Sequence, residues 1–218
     1  MGWLLNCLIF FACSCNDASS HGKLTTTKKD SLATLSKNAA AYRQIAAVRS
    51  NIKTGDLILR TGNDFTSTTL KMLNQREQTY SHCGIASIEN DSVFVYHALG
   101  GEWNPDQKLR RDPIEVFGAP YDNIGIGIYR FNLTSTDTVS LMSTVNQLFV
   151  SGVMFDMDFD LKTDDHMYCA EFVSKAYSRG TGGRLIFPVS HLGNLDFVGV
   201  DDIFLHQQCQ KLASIEYR

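Results

Sequence analysis

The chain has 218 residues, a formal net charge of −3, 44% hydrophobic and 20% charged residues. That length suits one domain with a small appendage and a sizeable core, and the composition excludes a disordered charged protein. No basic stripe calls for nucleic acid, no polybasic run calls for an anionic membrane surface, and four prolines exclude a proline-rich architecture.

Residues 1–15, MGWLLNCLIFFACSC, carry no charged side chain. The run is shorter than the roughly 20 residues that span a bilayer. It has the length of the hydrophobic region of a signal peptide. It ends in Ala12-Cys13-Ser14-Cys15 and turns polar at Asn16, which resembles a bacterial lipoprotein signal with Cys15 or Cys13 as the lipidated residue. The Lys or Arg usual at the start of such a signal is missing. The expectation is a lipoprotein of the cell envelope, in the periplasm or at the cell surface, held to a membrane by its N-terminal lipid. A plain secretory signal and a buried N-terminal element are the alternatives. Three of the six cysteines fall in this run; Cys83, Cys169 and Cys209 remain, an odd number and no disulfide framework. Without a Cys-x-x-Cys pair, a structural zinc site is not expected.

Residues 16–29 are rich in Ser, Thr and Lys and read as a tether. Over 30–50, Leu32, Leu35, Ala39, Tyr42, Ile45 and Ala46 fall at helical spacing, with Asp30 or Ser31 as cap. The folded domain is then 51–218. Thr54-Gly55-Asp56 turns into a short buried strand, and 64–74 reads as a short helix capped by Thr66 or Ser67. The segments 80–88 and 92–98 form a hairpin turning at Asn90-Asp91. A strand over 124–131 and a helix over 134–150 follow. A second strong helix covers 167–179, stopped by Gly180; a helical turn near 201–205 and a last strand near 209–217 close the chain. This order predicts an α+β fold, with helices packed on an antiparallel sheet or partial barrel.

Cys169 lies at the start of the helix in Asp164-Asp165-His166-Met167-Tyr168-Cys169-Ala170-Glu171. With Asp164 or Asp165 as cap, the sulfur sits in the first turn, where free amides and the positive dipole end favour a thiolate. The same amides could hold an oxyanion. A small core cysteine on an amphipathic helix is the plainer reading. A nucleophilic cysteine needs a base, and His82 in Tyr80-Ser81-His82-Cys83-Gly84-Ile85 opens a strand that can bring one. His97 lies on the partner strand. Counted from the Asn90-Asp91 turn, the two histidines are near neighbours if the pair contains a bulge or the turn centre is displaced. Each histidine alone is more often structural.

Three segments in order resemble the circularly permuted papain-like proteins of the NlpC superfamily, the YiiX-like group. Lys53-Thr54-Gly55-Asp56-Leu57-Ile58-Leu59-Arg60 is similar to its opening Gly-Asp-Leu strand. Tyr80-Ser81-His82-Cys83-Gly84-Ile85 is similar to its Ser-His-x-Gly-Ile strand, and Tyr168-Cys169-Ala170-Glu171-Phe172-Val173 to its Tyr-Cys helix. Phe155 to Phe159 resembles the aromatic-Asp run before that helix, and Val200-Asp201-Asp202-Ile203 its closing segment. The resemblance implies a permuted papain-like fold in which Cys169 is the nucleophile, His82 the general base and His97 the third polar residue. Should His97 be a bystander, Glu102, just past Gly100-Gly101, is the next candidate for that role. Tyr168, Glu171 and Tyr80 are the candidate substrate-side residues. Glu171 could instead pair with a basic strand residue such as Arg60.

Asp156, Asp158 and Asp160 alternate as in a calcium loop, but Leu161 and Met167 stand where Gly and Glu are needed. That run reads as a loop near the cleft. Gly180-Thr181-Gly182-Gly183 is no phosphate loop, since no Gly-Lys-Ser/Thr follows. No cofactor and no metal are called for. The expected function is a cysteine hydrolase cleaving an amide in a peptidoglycan peptide or an N-acyl amine. An acyl lipid hydrolase or acyltransferase, and a non-catalytic binding module, are the alternatives.

Overall fold

The computed structural model describes residues 20–101, 104 and 106–217, with side chains from residue 31 onward. Cys13, Cys15 and Glu102 lie outside the described residues. The chain divides into two compact units, 1–36 and 37–218. Helix α1 (Ser20–Arg49) begins ten residues before the expected Asp30, so neither Asp30 nor Ser31 caps it. The Ser/Thr-rich stretch read as a tether is helical from Ser20. Each Ser or Thr costs an established helix only some tenths of a kcal/mol, and elongation is easier than nucleation.

The second unit continues with β1 (Leu57–Gly62), α2 (Phe65–Met72), β2 (His82–Glu89), β3 (Ser92–His97), β4 (Arg110–Pro113) and α3 (Ile114–Phe117). Then come β5 (Asn123–Phe131), α4 (Ser135–Ser151), α5 (Cys169–Gly180), β6 (Ser190–Leu192), β7 (Leu195–Phe197), α6 (Val200–Phe204) and β8 (Cys209–Glu216). Six strands make one antiparallel sheet in the order β4-β3-β2-β1-β5-β8, and β6-β7 form a separate small hairpin. The fold is α+β, as the element order predicts. β4, α3 and the β6–β7 hairpin have no counterpart in the sequence reading.

The sheet has an apolar layer on each face because its strands alternate. Leu57, Leu59, Cys83 and Ile85 point to one face, where they pack with Leu141, Val145, Phe172, Val173 and Ile203 of α4, α5 and α6. Ile58, Ala86, Val95, Ile126 and Ile128 point to the other, against Ile45 of α1 and Ile114 and Phe117 of α3. At Asn90 and Asp91, φ is 48° and 62°, the left-handed pair that a two-residue hairpin turn requires. The Gly-Asp of the opening strand has a structural reason as well. Gly55 turns with φ 89°, and buried Asp56 takes both Arg130 Nε and Nη2 at 2.7 Å, tying β1 to β5.

Helix caps depart from expectation at two further places. Asp64 caps α2, its carboxylate accepting the Ser67 N–H at 2.9 Å, in place of Thr66 or Ser67. Tyr168 is the N-cap of α5 in place of Asp164 or Asp165, so Cys169 is its first residue. Asp164 is occupied elsewhere, accepting from Lys175 Nζ at 3.1 Å and Arg179 Nη2 at 2.6 Å.

Candidate active site

β2 and β3 pair regularly from Ile85↔Tyr96 to Glu89↔Ser92, and the paired register ends at Ile85. His82 to Gly84 therefore have β1 on one side and no β3 pairing on the other. The Cys83 amide, freed in this way, helps to hold the Cys169 thiol low at the start of α5. The end of the sheet where β2 and β3 part is thus the place where the cysteine helix and the histidine strand come together.

The Cys169 thiol is held below its ordinary range. Hydrogen bonding from the Cys83 side chain contributes most, and the N–H groups of Cys83 and Ala170 and the Arg60 guanidinium add to it, against burial. Cys83 itself is pushed the other way by burial and by its neighbour, so it remains a thiol and a donor. The positive charge facing the sulfur belongs to Arg60. This residue pairs directly with His82 across β1 and β2, lies over the Phe117 ring with 5.0 Å from Cζ to centroid, and donates to the Phe117 carbonyl at 3.1 Å. Among the described residues no carboxylate lies within salt-bridge distance of it. From the sequence Arg60 is a partner for Glu171; only the strand register brings it beside His82.

His82 and His97 are both buried and joined, Nε2 of His82 lying 2.9 Å from Nδ1 of His97. No bulge is needed, contrary to the expectation from counting. The position opposite His97 is Gly84, so His82 and His97 are diagonal neighbours on one face. Gly84 makes this possible, since a Cβ there would stand 2.7 Å from the Tyr96 carbonyl and 3.0 Å from His97 Cβ. Phe117 packs on both imidazoles, with centroids at 5.7 and 5.0 Å. The chain of polar groups continues past His97, whose Nε2 lies 3.1 Å from Asp112 Oδ2. Asp112 Oδ1 accepts from Arg110 Nη2 at 2.8 Å. Burial, with help from Arg60, keeps His82 well below the usual histidine range, and burial brings His97 down to about 4 against the pull of Asp112. Asp112 is the site residue the sequence did not disclose. β4 is a four-residue strand, Arg-Arg-Asp-Pro, with no apolar alternation to signal it.

The three residues expected beside the substrate are buried and already engaged. The Tyr168 hydroxyl accepts from the Val198 N–H at 2.7 Å, and the Tyr80 hydroxyl meets Ser214 Oγ at 3.0 Å. Glu171 is fully buried; its carboxylate accepts the Tyr168 N–H at 3.3 Å and pairs with Lys175 at 2.8 Å, so Lys175 stands where Arg60 was considered. Tyr168 and Glu171 thus hold the start of α5, and Tyr80 is packed towards β8, because the amphipathic pattern does not say which aromatic is sealed by later segments. In the acidic loop, buried Asp156 folds the chain on itself, accepting from the N–H groups of Asp158 at 2.7 Å and Asp160 at 2.6 Å.

Residues 51–188 match the model of the permuted papain-like amidase enzymes, YaeF/YiiX, C92 family. The chain is similar in structure to YiiX of Escherichia coli O157:H7, described as a metalloprotein. The TM-score is 0.61 and the identity 20%, over 75% of this chain and 98% of that one. Among the described residues of this chain, no group of three or more His, Cys, Asp or Glu side chains could hold a metal ion. No curated protein matches the chain. The matched segment holds the Gly-Asp strand, the histidine strand and the cysteine helix, and with it more than half of the sequence: the chain belongs to the YaeF/YiiX family of permuted papain-like amidases.

Proposed function

We propose that this protein is a cell-envelope cysteine hydrolase that cleaves the amide of a peptidoglycan peptide or an N-acyl amine, with Cys169 as nucleophile and His82 as general base. What supports this reading is a thiol held low at the start of α5, with Cys83 as its hydrogen-bonding neighbour, and a buried, hydrogen-bonded histidine pair whose first member, His82, is the residue before Cys83. A neutral His82 is in the state a base needs. It takes the thiol proton as the sulfur attacks the carbonyl carbon. The Cys169 N–H, a first-turn amide, meets the oxygen that becomes negative. His82 then gives its proton to the leaving nitrogen, the C–N bond breaks and a thioester remains. Water, deprotonated by His82, hydrolyses the thioester and restores the thiol. His97 holds the His82 ring in place throughout.

The hydrophobic run 1–15 and the polar switch at Asn16 support a lipid anchor at Cys15 or Cys13. Mass spectrometry of the membrane fraction tests it: a lipidated N-terminus is expected, and an unmodified chain starting at Met1 in the cytosol refutes it. The activity is tested on a panel of peptidoglycan peptides, N-acyl amines and acyl lipids. Amide turnover that disappears in Cys169→Ala is expected. Turnover of acyl lipids alone would replace this reading with lipid hydrolysis.

A further inference from the structure

We propose that Asp112 is a positioning residue that fixes the tautomers of both histidines and thereby decides which nitrogen of His82 acts as the base. The proposal rests on the reading of His82 as base, but its first readout does not depend on activity. Three strands contribute one member each, and each member is diagonal to the next across its pair: His82 on β2, His97 on β3 and Asp112 on β4, the last opposite Val95.

The assignment follows link by link. Arg110 holds Oδ1 of Asp112 at 2.8 Å, and hydrogen bonds from His97 and Arg110 keep this carboxyl ionised, down to about 2 despite its burial. An ionised carboxylate only accepts, so the proton between Oδ2 and His97 Nε2 belongs to the ring nitrogen. A neutral imidazole carries one proton, so His97 Nδ1 is a lone pair. That lone pair lies 2.9 Å from His82 Nε2, which must therefore donate. His82 is neutral too, so its lone pair is left on Nδ1, the one ring nitrogen not turned towards His97. Phe117 covers both rings and keeps water from offering alternative partners. The orientation of the base is thus set two hydrogen bonds away from it.

Asp112→Asn tests this with almost no change of shape. Arg110 will take the carboxamide oxygen, which turns the NH2 group towards His97 Nε2. That nitrogen becomes the acceptor, Nδ1 of His97 then carries the proton and donates to His82 Nε2, and the proton of His82 moves to Nδ1. Nitrogen-15 NMR of the labelled imidazoles separates protonated from unprotonated ring nitrogens. In the wild type, protonated Nε2 and bare Nδ1 are expected on both rings, and in Asp112→Asn the reverse on both. Turnover should fall on the order of 10² to 10⁴-fold in the variant, as for a wrong tautomer in a related triad, and Asp112→Glu should recover part of it. A wild-type spectrum with protonated Nδ1 on His97 overturns the proposal whether or not the variant folds, and so does an unchanged spectrum in Asp112→Asn. An inverted spectrum with full turnover upholds the tautomer assignment and refutes His82 as the base instead.

Discussion

Burial of His97 makes the stability of this protein depend on pH in a way that can be calculated. His97 drops from 6.5 in the unfolded chain to about 4 when folded, because burial disfavours its charged form. The groups facing it are Asp112, which pulls the other way, and Arg60, Arg110 and His82, which do not carry a proton away at these pH values. Between pH 6.5 and 4 the unfolded chain binds a proton that the folded ring refuses, so stability is fully present above 6.5 and is lost as pH falls towards 4. At about 1.4 kcal/mol per pH unit, the loss from pH 7 to pH 4 comes to about 3 kcal/mol from this one group. That is a large share of the roughly 5–15 kcal/mol of a typical domain. Asp112 adds only a few tenths of a kcal/mol, of the same sign and near pH 4, since its carboxyl lies at 3.8 unfolded and about 2 folded. His97→Gln removes the titrating ring and keeps a polar side chain. Urea unfolding at several pH values should give a curve for the variant that is flatter than the wild type by about 3 kcal/mol over this range, with His82 still supplying part of the slope. Equal slopes for the two proteins would refute the buried, neutral state of His97.

Three further outcomes follow from the same geometry. Gly84→Ala puts a Cβ against the Tyr96 carbonyl and His97 Cβ, so urea unfolding should show a loss of about 1–3 kcal/mol, and a loss under about 0.5 kcal/mol would contradict the close approach. Arg60→Gln removes the cation facing the sulfur, and the midpoint of Cys169 alkylation against pH should rise; an unmoved midpoint would take Arg60 out of the site. Glu171→Gln keeps an acceptor for the Tyr168 N–H while removing a buried carboxylate that burial raises to about 7. A folded pKa above the unfolded one means that ionised Glu171 costs stability as pH rises from 4.5 through 7, so this variant should lose less stability than the wild type between those values.

Much of this was legible in the chain because local rules decide it. The Asn90-Asp91 turn marks the hairpin, and the strands on either side bring His82 and His97 near each other. The apolar spacing after Tyr168 marks the helix that carries Cys169. Other parts depend on contacts that no local rule reports. The cap of α5 is Tyr168 because Asp164 is drawn to Lys175 and Arg179 one to three turns further along the chain. Tyr80 and Tyr168 look like cleft residues until Ser214 and Val198, far along the sequence, take their hydroxyls. Arg60 and Asp112 enter the site only through strand register, and the strand holding Asp112 is too short and too polar to be seen before it is paired.

The central claim is that Cys169 is the reactive nucleophile and that His82 serves it. Labelling with a thiol-reactive probe near neutral pH, with the modified cysteine located by peptide mass spectrometry, tests this most directly. Rapid labelling of Cys169 is expected, slower labelling in His82→Ala, none at that position in Cys169→Ala, and buried Cys83 left unmodified. Labelling of Cys83 or Cys209 while Cys169 stays untouched would contradict it.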